Sequence, residues 1–338
     1  MYTVNDSGHS SMLRKVEKIR DQVDRVPLDP KHERWFQREA FVVTAHASTR
    51  IEDATVTPDV IVAAERSLEI VHPATSRYAS ALDYVQYQAA EEELLIDERL
   101  IRHIHWLLKL DPTPGYFRKE TNYVERDGIK VYQPPRETEV PILMREFMEA
   151  LNTQSFHPLV MAAVSHMHLV AIHPFLDGNG RTSRLLEKLI LLRRGWGFRS
   201  MLSMERYYEE NRGAYLDALD SAMNGRFPEI YEADPWIRFF LAALSEEAER
   251  LRRRLANWPD TVRRISRLTS EHALLERQGE GLLFATKNSQ VTRRQYQDVS
   301  GVGEVTAGKD LSGLVEAGLL EPIGDDRHRA YRPTEKAA

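Results

Sequence analysis

Cysteine is absent from the 338-residue chain, which excludes disulfide bonds, thiolate metal sites and cysteine nucleophiles. No apolar run approaches the roughly 18 residues that a membrane span needs. The first residues, Met1–Asp6, lack the charged and apolar regions of a secretory signal. The formal net charge of −5 argues against a general affinity for nucleic acid. We therefore expect an ordinary globular protein of the cytoplasm, without a membrane partner.

Chemically active side chains are concentrated in residues 173–184, which read HPFLDGNGRTSR. The preceding residues 159–172 are mostly apolar and predict a buried helix. Pro174 ends that helix, because proline lacks an amide donor and restricts the residue before it. His173 is therefore expected at the C-terminal end of a buried helix, where it is the group able to take a proton near neutral pH.

The remainder of this stretch has the features of a phosphate site. Residues 178–180 tolerate positive φ, which predicts a nest of backbone N–H groups, and a second helix is expected to begin at Arg181. Its N-terminus would add free N–H groups and a positive dipole end. Arg181 and Arg184 share one face of it and suit phosphate oxygens. Asp177 is placed to hold Mg²⁺ beside the phosphates.

Simpler interpretations exist for each part alone. A single histidine at a helix end is usually a capping or core residue, and Asp-Gly-Asn-Gly is usually a turn or part of a calcium loop. A calcium loop needs further acids at alternate positions, whereas Arg181 and Arg184 stand there. The combination therefore favours attack of a hydroxyl on a nucleotide phosphorus, with positioning and charge stabilisation supplying the catalysis.

Residues 173–184 also resemble the signature of the Fic (filamentation induced by cAMP) family, H-x-F-x-D/E-G-N-G-R-x-x-R, at every defined position. The resemblance implies transfer of AMP from ATP to a protein hydroxyl, with His173 as base and Asp177 as the Mg²⁺ ligand. It implies that residues 178–180 and Arg181 hold the α- and β-phosphates and that Arg184 meets the γ-phosphate. The predicted ATP-binding residues are Asp177, Gly178, Asn179, Gly180, Arg181, Thr182, Ser183, Arg184 and Tyr215.

A second motif lies upstream, in a chain segment where Lys31 to Ala47 predict a helix. Ser48 and Glu52 have the spacing of a cap, and they also resemble the Fic inhibitory helix, S/T-x-x-x-E-G/N. Asp53 departs from that pattern. The resemblance implies that Glu52 pairs with Arg184 and occupies the γ-phosphate position, so that ATP must displace a charge-assisted pair.

Residues 123–132 predict a β-hairpin with Asp-Gly at the turn. An idle loop is one interpretation; the other is the Fic flap, which clamps the target polypeptide by strand pairing. Arg118 and Pro134–Pro135 match the flap's anchors, and the tip carries more charge than the family pattern. The flap residues are predicted to be Val124, Glu125 and Arg126.

The other elements are predicted to be helices. Residues 59–72, 75–92, 97–110 and 140–151 are four of them, and His103 and His105 in the third are expected to be packing or surface residues rather than zinc ligands. A helix over 204–223 is expected to face the adenine through Tyr215, by resemblance to the family; plain core is the alternative. A further helix from Asp234 is expected to end at residues 258–260, around Pro259.

From residue 291 the pattern changes to two short helices, 292–299 and 304–317, joined by a Gly-rich turn and followed by two short strands with a charged tip. This arrangement resembles a winged helix-turn-helix domain. Thr306 and Lys309 would favour DNA contact, but Glu304 and Asp310 oppose it, and docking to a protein is the alternative.

The sequence therefore predicts a mainly α protein with a helical Fic core, a small hairpin flap and a C-terminal winged-helix domain. The predicted domains are residues 1–110, 111–258 and 259–338. The predicted function is protein adenylylation at Ser, Thr or Tyr with ATP and Mg²⁺, restrained by Glu52. Transfer of another nucleotide or phosphate group, removal of AMP, and a DNA-binding transcription regulator remain alternatives, and a homodimer is left open.

Overall fold

The computed structural model describes residues 2–3, 6–52, 70, 72–91, 95–109, 112–126, 128–153, 156–227, 231–324 and 329–337. These ranges contain thirteen α-helices and a few short strands, which confirms the predicted mainly α class. By their internal contacts the described residues form two units, divided between Arg252 and Arg253. The segments predicted as an N-terminal region and as a catalytic core belong to the same unit.

The first unit is mainly helical. Its helices are α1 (Asp6–Asp24), α2 (Pro30–Glu52), α3 (Pro73–Ala89), α4 (Glu98–Leu108), α5 (Val140–Thr153), α6 (Pro158–Ile172), α7 (Asn179–Arg193), α8 (Met204–Glu210), α9 (Arg212–Met223) and the start of α10 (Asp234–Glu271). Its strands are β1 (Tyr2–Thr3), β2 (Val124–Arg126), β3 (Ile129–Tyr132) and β4 (Tyr231–Glu232). β1 pairs with β4 in parallel, and β2 with β3 antiparallel.

Helix α6 is the centre of this unit. It begins after His157, whose Nδ1 accepts from the Leu159 amide at 3.2 Å, and Pro158 fits the first helical turn. Nearly all of its side chains are buried, including Leu159, Met167 and Ile172, as expected for a helix that is apolar on every side. Helix α7 packs against it. The loop between α6 and α7 is therefore held between two buried helices.

Two helix predictions were wrong in detail. Residues 204–223 form two helices rather than one, because Asn211 leaves the helical conformation and its side-chain amide donates to the Tyr207 carbonyl at 3.0 Å. Helix α10 does not end at residues 258–260 but continues through Pro259 to Glu271. Buried Leu255 and Ile265 continue the apolar stripe on either side, and this burial outweighs the roughly 3 kcal/mol that an interior proline costs.

The second unit comprises residues 253–324 and 329–337 within the described part of the chain. After the end of α10 it contains α11 (Glu276–Asn288), β5 (Val291–Thr292), α12 (Arg293–Ser300), α13 (Glu304–Glu316), β6 (Leu320–Ile323) and β7 (Ala330–Pro333). The strands form an antiparallel sheet in the order β5-β7-β6. Asp310 joins three of its elements, because its carboxylate accepts from Arg277 at 2.7 Å and from the Tyr296 hydroxyl at 3.1 Å.

The helix predicted at residues 59–72 falls outside the described residues apart from 70 and 72, as does the tip predicted between the last two strands. Among the described residues, none of the helices combines the length and the apolar character that crossing a bilayer requires.

Candidate functional site

His173 ends helix α6 in a left-handed conformation, with φ of 51°. Its ring Nδ1 lies 3.2 Å from the Val170 carbonyl oxygen, which can only accept. The proton is therefore assigned to Nδ1, and the unprotonated Nε2 is left to receive another. Burial lowers the pKa of His173 to about 4, so the imidazole is neutral at physiological pH. The residue is placed and protonated as a general base requires.

Asn179 fixes the loop that follows. Its side-chain oxygen accepts from the Phe175 amide and its side-chain nitrogen donates to the Phe175 carbonyl, both at 2.9 Å. Gly178 has φ of 81°, which only glycine adopts without strain. Helix α7 begins at Asn179 and not at Arg181 as predicted, because Asn179 and Gly180 are already helical. The predicted nest is thus one left-handed glycine followed by a helix N-terminus.

His105 of α4 supports the same loop from the other side. Its Nδ1 accepts from the Gly115 amide and its Nε2 donates to the Asp177 carbonyl, both at 2.9 Å. Its ring stacks on Phe175 with centroids 3.7 Å apart. The expectation of a packing residue is correct in part, but the sequence carried no sign of the bond to the loop. His105 is a positioning residue for the segment that follows His173.

Arg118 joins the loop between α6 and α7 to the segment that leads to the hairpin. Its guanidinium donates to the carbonyls of His173 at 2.9 Å, Glu120 at 3.1 Å and Pro135 at 2.5 Å. Burial lowers the pKa of this guanidinium from its ordinary value. The predicted anchors of the hairpin therefore contact each other, and both are tied to the backbone of His173.

Asp177 and Arg181 stand at the mouth of the helix N-terminus. The Asp177 carboxylate is 56% exposed and accepts from Arg181 at 3.2 Å and from the Gly178 amide at 2.6 Å. The Arg181 side chain is mostly buried, yet its Nε has no hydrogen-bond partner within the described part of the chain. A buried donor left without an acceptor is what an anion site presents before its ligand binds.

The residues at this helix N-terminus also fit a magnesium ion, to which the protein would contribute few ligands. The described residues contain no group of three or more His, Asp or Glu side chains able to surround a metal. Mg²⁺ in phosphate sites typically takes one or two carboxylates and fills its remaining positions with phosphate oxygens and water. The exposed carboxylate of Asp177 is suited to that part.

Arg184 lies one turn further along α7 and is almost wholly buried, with 1% of its side chain exposed. Its Nε donates to the Ser48 hydroxyl at 2.8 Å, and one terminal nitrogen donates to the Ser48 carbonyl at 3.1 Å and to Glu52 at 3.0 Å. The structure thus brings together the two residues of the upstream motif and the last arginine of the signature.

Glu52 is the last residue of α2, and its side chain is 35% exposed. Burial favours its neutral form, but the charges of Arg184 and Arg181 outweigh this, so the pKa of Glu52 lies below its ordinary value. Its carboxylate also lies against Gly180, where a Cβ atom would come within 2.4 Å of Oε1. An ionised carboxylate therefore occupies the space beside the first turn of α7.

Tyr215 meets Arg184 from helix α9. Its hydroxyl accepts from Arg184 at 3.3 Å and lies 3.0 Å from Nε2 of His166, whose Nδ1 is 2.5 Å from Glu187. Burial raises the pKa of Glu187 to about 8 and holds that of His166 well below its ordinary value, so burial favours the neutral form of each. The Tyr215 ring is buried and stacks on Tyr208 at 4.8 Å. Contact of this residue with adenine stays a prediction.

The C-terminal end of α2 is held by two further arginines. Arg212 of α9 donates from Nε to the Ile51 carbonyl at 2.9 Å, and Arg50 forms an ion pair with Glu209 of α8. Neither was identified from the sequence, because both contacts join residues about 160 positions apart. The position of Glu52 thus depends on contacts outside the signature.

The predicted hairpin forms as β2 and β3, with Val124 opposite Tyr132. The Tyr132 hydroxyl donates to the Ala171 carbonyl at 2.9 Å, which fixes β3 to the end of α6. Glu125 is exposed and Val124 is half-buried, while the side chain of Arg126 lies outside the described part. Thr182 and Ser183 of the signature donate to the carbonyls of Gly178 and Asn179, and contact of either with ATP stays a prediction.

Comparison with known proteins agrees with this site. Residues 95–191 match the model of the Fic/DOC family. The chain is 40% identical over 121 residues to "Protein adenylyltransferase Fic" of Drosophila willistoni, which covers 34% of this chain and 23% of that protein. It is 32% identical over 200 residues to the protein of the same name from Drosophila persimilis, covering 54% of this chain and 38% of that protein.

Solved structures show the same fold. A Fic family protein from Desulfovibrio desulfuricans superposes with a TM-score of 0.59 at 21% identity, over 99% of this chain and 98% of that one. Fic-1 (residues 134–508) from C. elegans superposes with a TM-score of 0.57 at 24% identity, over 72% and 71% of the two chains. Residues 95–191 are therefore similar to the Fic/DOC family, and the described chain shares its fold with the solved structures. The curated relatives are longer, and the aligned region spans well under half of each of the two named above.

Proposed function

We propose that this protein is an adenylyltransferase that moves AMP from ATP to a hydroxyl group of a target protein. The observation that carries the proposal is the arrangement around the start of α7. The neutral imidazole of His173, the unpaired Nε of Arg181 and the N-terminus of α7 come together there. The ionised Glu52 occupies the position beside Arg184. The name of the relatives, protein adenylyltransferase, supports the same activity.

In the proposed reaction the acceptor hydroxyl loses its proton to Nε2 of His173 while its oxygen bonds to the α-phosphorus of ATP. The bond from that phosphorus to the bridging oxygen breaks, and pyrophosphate leaves. Val170 keeps the His173 ring oriented through Nδ1. Arg181 and the amides at the start of α7 stabilise negative charge on the transferred phosphate. Asp177 would hold Mg²⁺, which supplies neutralisation of the phosphate charges when bound.

Glu52 restrains this reaction in the proposal. It holds Arg184, the arginine expected to receive the γ-phosphate, so a triphosphate must displace it. After displacement Arg184 keeps its bonds to Ser48 and Tyr215, and the arginine itself stays in place. Inhibition and γ-phosphate binding are therefore alternative uses of one terminal nitrogen.

The test compares the wild type with Glu52→Gly and with Glu52→Gly/His173→Ala, each incubated with cell lysate and α-labelled ATP. We expect Glu52→Gly to raise protein labelling about tenfold or more, since a charge-assisted hydrogen bond contributes about 1.5–3 kcal/mol. Loss of the base is expected to lower it by at least about 100-fold. Exposed His103, replaced by alanine in the Glu52→Gly background, is the matched control and should retain labelling.

Intact mass of a labelled target separates the neighbouring chemistries. Addition of AMP supports the proposal, whereas addition of UMP or phosphate, or labelling that survives His173→Ala, contradicts it. Parallel reactions with each labelled nucleoside triphosphate establish the preference.

For the second unit we propose a winged helix-turn-helix domain, supported by the order α11, α12, α13 and the three-stranded sheet. On α13, Lys309 is exposed, but Glu304 at the start of the helix is also exposed, and Val305 is apolar and exposed. This balance of charge favours docking to a protein over the phosphate backbone of DNA. A salt-dependent mobility shift with genomic fragments would contradict that choice.

A further inference from the structure

A cavity of about 520 Å³ lies beside the loop between α6 and α7. It is lined by Thr113, Tyr116, Phe117, Arg118, Lys119, Glu120 and Leu176. Neither Arg181 nor Arg184 lines it. The guanidinium of Arg118 is already engaged by three carbonyl groups. The cavity therefore offers a phosphate little beyond the exposed ammonium of Lys119, which Glu120 accompanies. Its remaining surface is largely aromatic and aliphatic, which suits an apolar group.

The walls of this cavity are fixed. Arg102 donates from Nε to the Gly115 carbonyl at 2.6 Å and lies over the Tyr116 and Phe117 rings, 5.1 and 5.6 Å from their centroids. Gly115 has φ of 81°, and a Cβ there would meet the α4 backbone at 3.0 Å. The Phe117 ring packs against Phe175 with centroids 5.7 Å apart. A ligand would thus meet a preformed wall and cause little ordering cost.

The same walls are tied to the catalytic histidine. The Arg118 amide donates to the Pro174 carbonyl at 2.9 Å, and the Arg118 side chain donates to the His173 carbonyl. Leu176 is three residues from His173, so their Cα atoms are at most about 10 Å apart. Asn122, just beyond the cavity, donates to the Leu176 carbonyl at 3.2 Å and leads directly into β2. The cavity walls are therefore bonded to the backbone of His173 and Pro174, and the chain that forms them continues into β2.

We propose that this cavity is the specificity pocket for the target polypeptide and takes a large apolar side chain within about three residues of the acceptor hydroxyl. The inference rests on the proposed transferase function. A polypeptide is favoured over the nucleotide because the phosphate-binding groups stand elsewhere, while the chain segment that lines the cavity leads into the hairpin. The opposite charges of Lys119 and Glu120 give no preference for a charged residue.

The test uses the full chain carrying Glu52→Gly, Mg²⁺, α-labelled ATP and synthetic peptides. Each peptide holds one Ser, Thr or Tyr in a background of Gly, Gln and Asn, with Phe, Leu, Ala, Asp or Lys at each of the three positions on either side. We expect Phe or Leu at one position to raise kcat/KM about tenfold or more over Ala, the scale expected for burying a large apolar side chain. No such increase is expected from Asp or Lys.

Two variants test whether the preference arises in this cavity. Thr113→Trp fills it and Tyr116→Ala opens its wall, and each should bring the Phe-to-Ala ratio close to one. Tyr116 is 61% exposed, so its replacement has little effect on folding; Tyr87 of α3 is 66% exposed and outside the cavity, and Tyr87→Ala should keep the ratio. Because the Phe and Ala peptides are compared on the same variant, a general loss of turnover cancels in the ratio of their kcat/KM values. A thermal melt verifies that each variant is folded.

The outcomes are distinct. A ratio unchanged by both cavity variants, or labelling without any apolar preference, overturns the pocket and leaves the transferase standing. Complete absence of label from peptides and from lysate proteins alike overturns the proposed function, and the pocket with it. A preference lost in both cavity variants and kept in Tyr87→Ala supports the inference.

Discussion

His173 is held by its neighbours in the protonation state that base catalysis needs. Nδ1 faces a carbonyl, Nε2 is left unprotonated, and burial keeps the ring neutral. A histidine with its usual pKa of about 6.5 would lose half of its base form at that pH. The position of His173 in the fold, more than the residue type, therefore determines the pH at which its ring is protonated.

We predict that kcat/KM for labelling by Glu52→Gly shows no loss from His173 protonation between pH 8 and 5.5. Because the pKa of His173 is about 4, its protonated form is populated mainly below pH 4. The fall in kcat/KM on the acid side is therefore expected near pH 4. Glu52 favours the protonated ring, so its removal does not move the limb upward. Rates in buffers of constant ionic strength measure this, and a limb at pH 6–7 that tracks His173 would refute the assignment.

Asn179 provides a second prediction. Asn179→Ala leaves the buried amide and carbonyl of Phe175 unpaired, at about 1–3 kcal/mol each, and frees the loop between His173 and α7. We expect a lower Tm and a fall in labelling of at least about tenfold.

Its matched control is Asn152→Ala, which removes comparable side-chain bonds to the carbonyls of Ile96 and Met148 at the end of α5. That variant should lower Tm while labelling well below Tm is retained. Equal activity losses in the two variants would show that Asn179 acts through stability alone.

At the scale of elements, the C-terminal end of α2 is held in place by side chains of other helices. Ser48 and Glu52 bind Arg184 of α7, and Arg212 of α9 binds the last turn through Ile51. The first unit therefore holds the end of α2, including Glu52, through several independent contacts, each of modest strength.

Arg212→Ala is predicted to raise labelling by the wild-type chain about two- to tenfold, since one hydrogen bond to the α2 terminus contributes about 1 kcal/mol. Initial rates with α-labelled ATP measure the change. Arg145→Ala, on an exposed position of α5, is the control and should leave the rate unaltered. If Arg212→Ala is silent while Glu52→Gly activates, the position of Glu52 does not depend on this contact.

Helices with strong local signals were predicted well from the sequence. Asp97 caps α4, Pro174 follows the end of α6, and the predicted hairpin forms as β2 and β3. Pro259 and Asn211 were misjudged, because whether a local breaker ends a helix depends on the burial of its flanks.

Within the site, the signature and upstream motif identified the residues that meet at Arg184. His105, Arg118 and Arg212 contribute through hydrogen bonds to backbone atoms distant in the chain. Such contacts leave no periodicity or spacing in a single sequence, so sequence reasoning had no means of identifying the first and last as supports of the site.

At the scale of the whole molecule, each unit has its own buried core, and the polar contacts of Asp310 are internal to the second. Its carboxylate is 7% exposed and joins α13 to Arg277 of α11 and Tyr296 of α12. We therefore expect substitutions in the second unit to change the stability of that unit and not of the first.

Asp310→Ala is predicted to destabilise the second unit by about 1–3 kcal/mol, because it leaves Arg277 and the Tyr296 hydroxyl without their acceptor. Hydrogen exchange of the full chain should show faster exchange in α11–α13 and unchanged exchange in α6 and α7. Asp298→Ala on the exposed face of α12 is the control and should change neither. Faster exchange spread over both units would contradict independent cores.

The close approach of Gly180 and Glu52 limits how this sequence can drift over time. A methyl group at position 180 would overlap the carboxylate, so alanine there requires the Glu52 side chain to shift from its present position on Arg184. Loss of the glutamate, in turn, removes one obstacle to larger residues at 180. Positions 52 and 180, which are 128 residues apart in the chain, are therefore expected to be substituted together among related sequences.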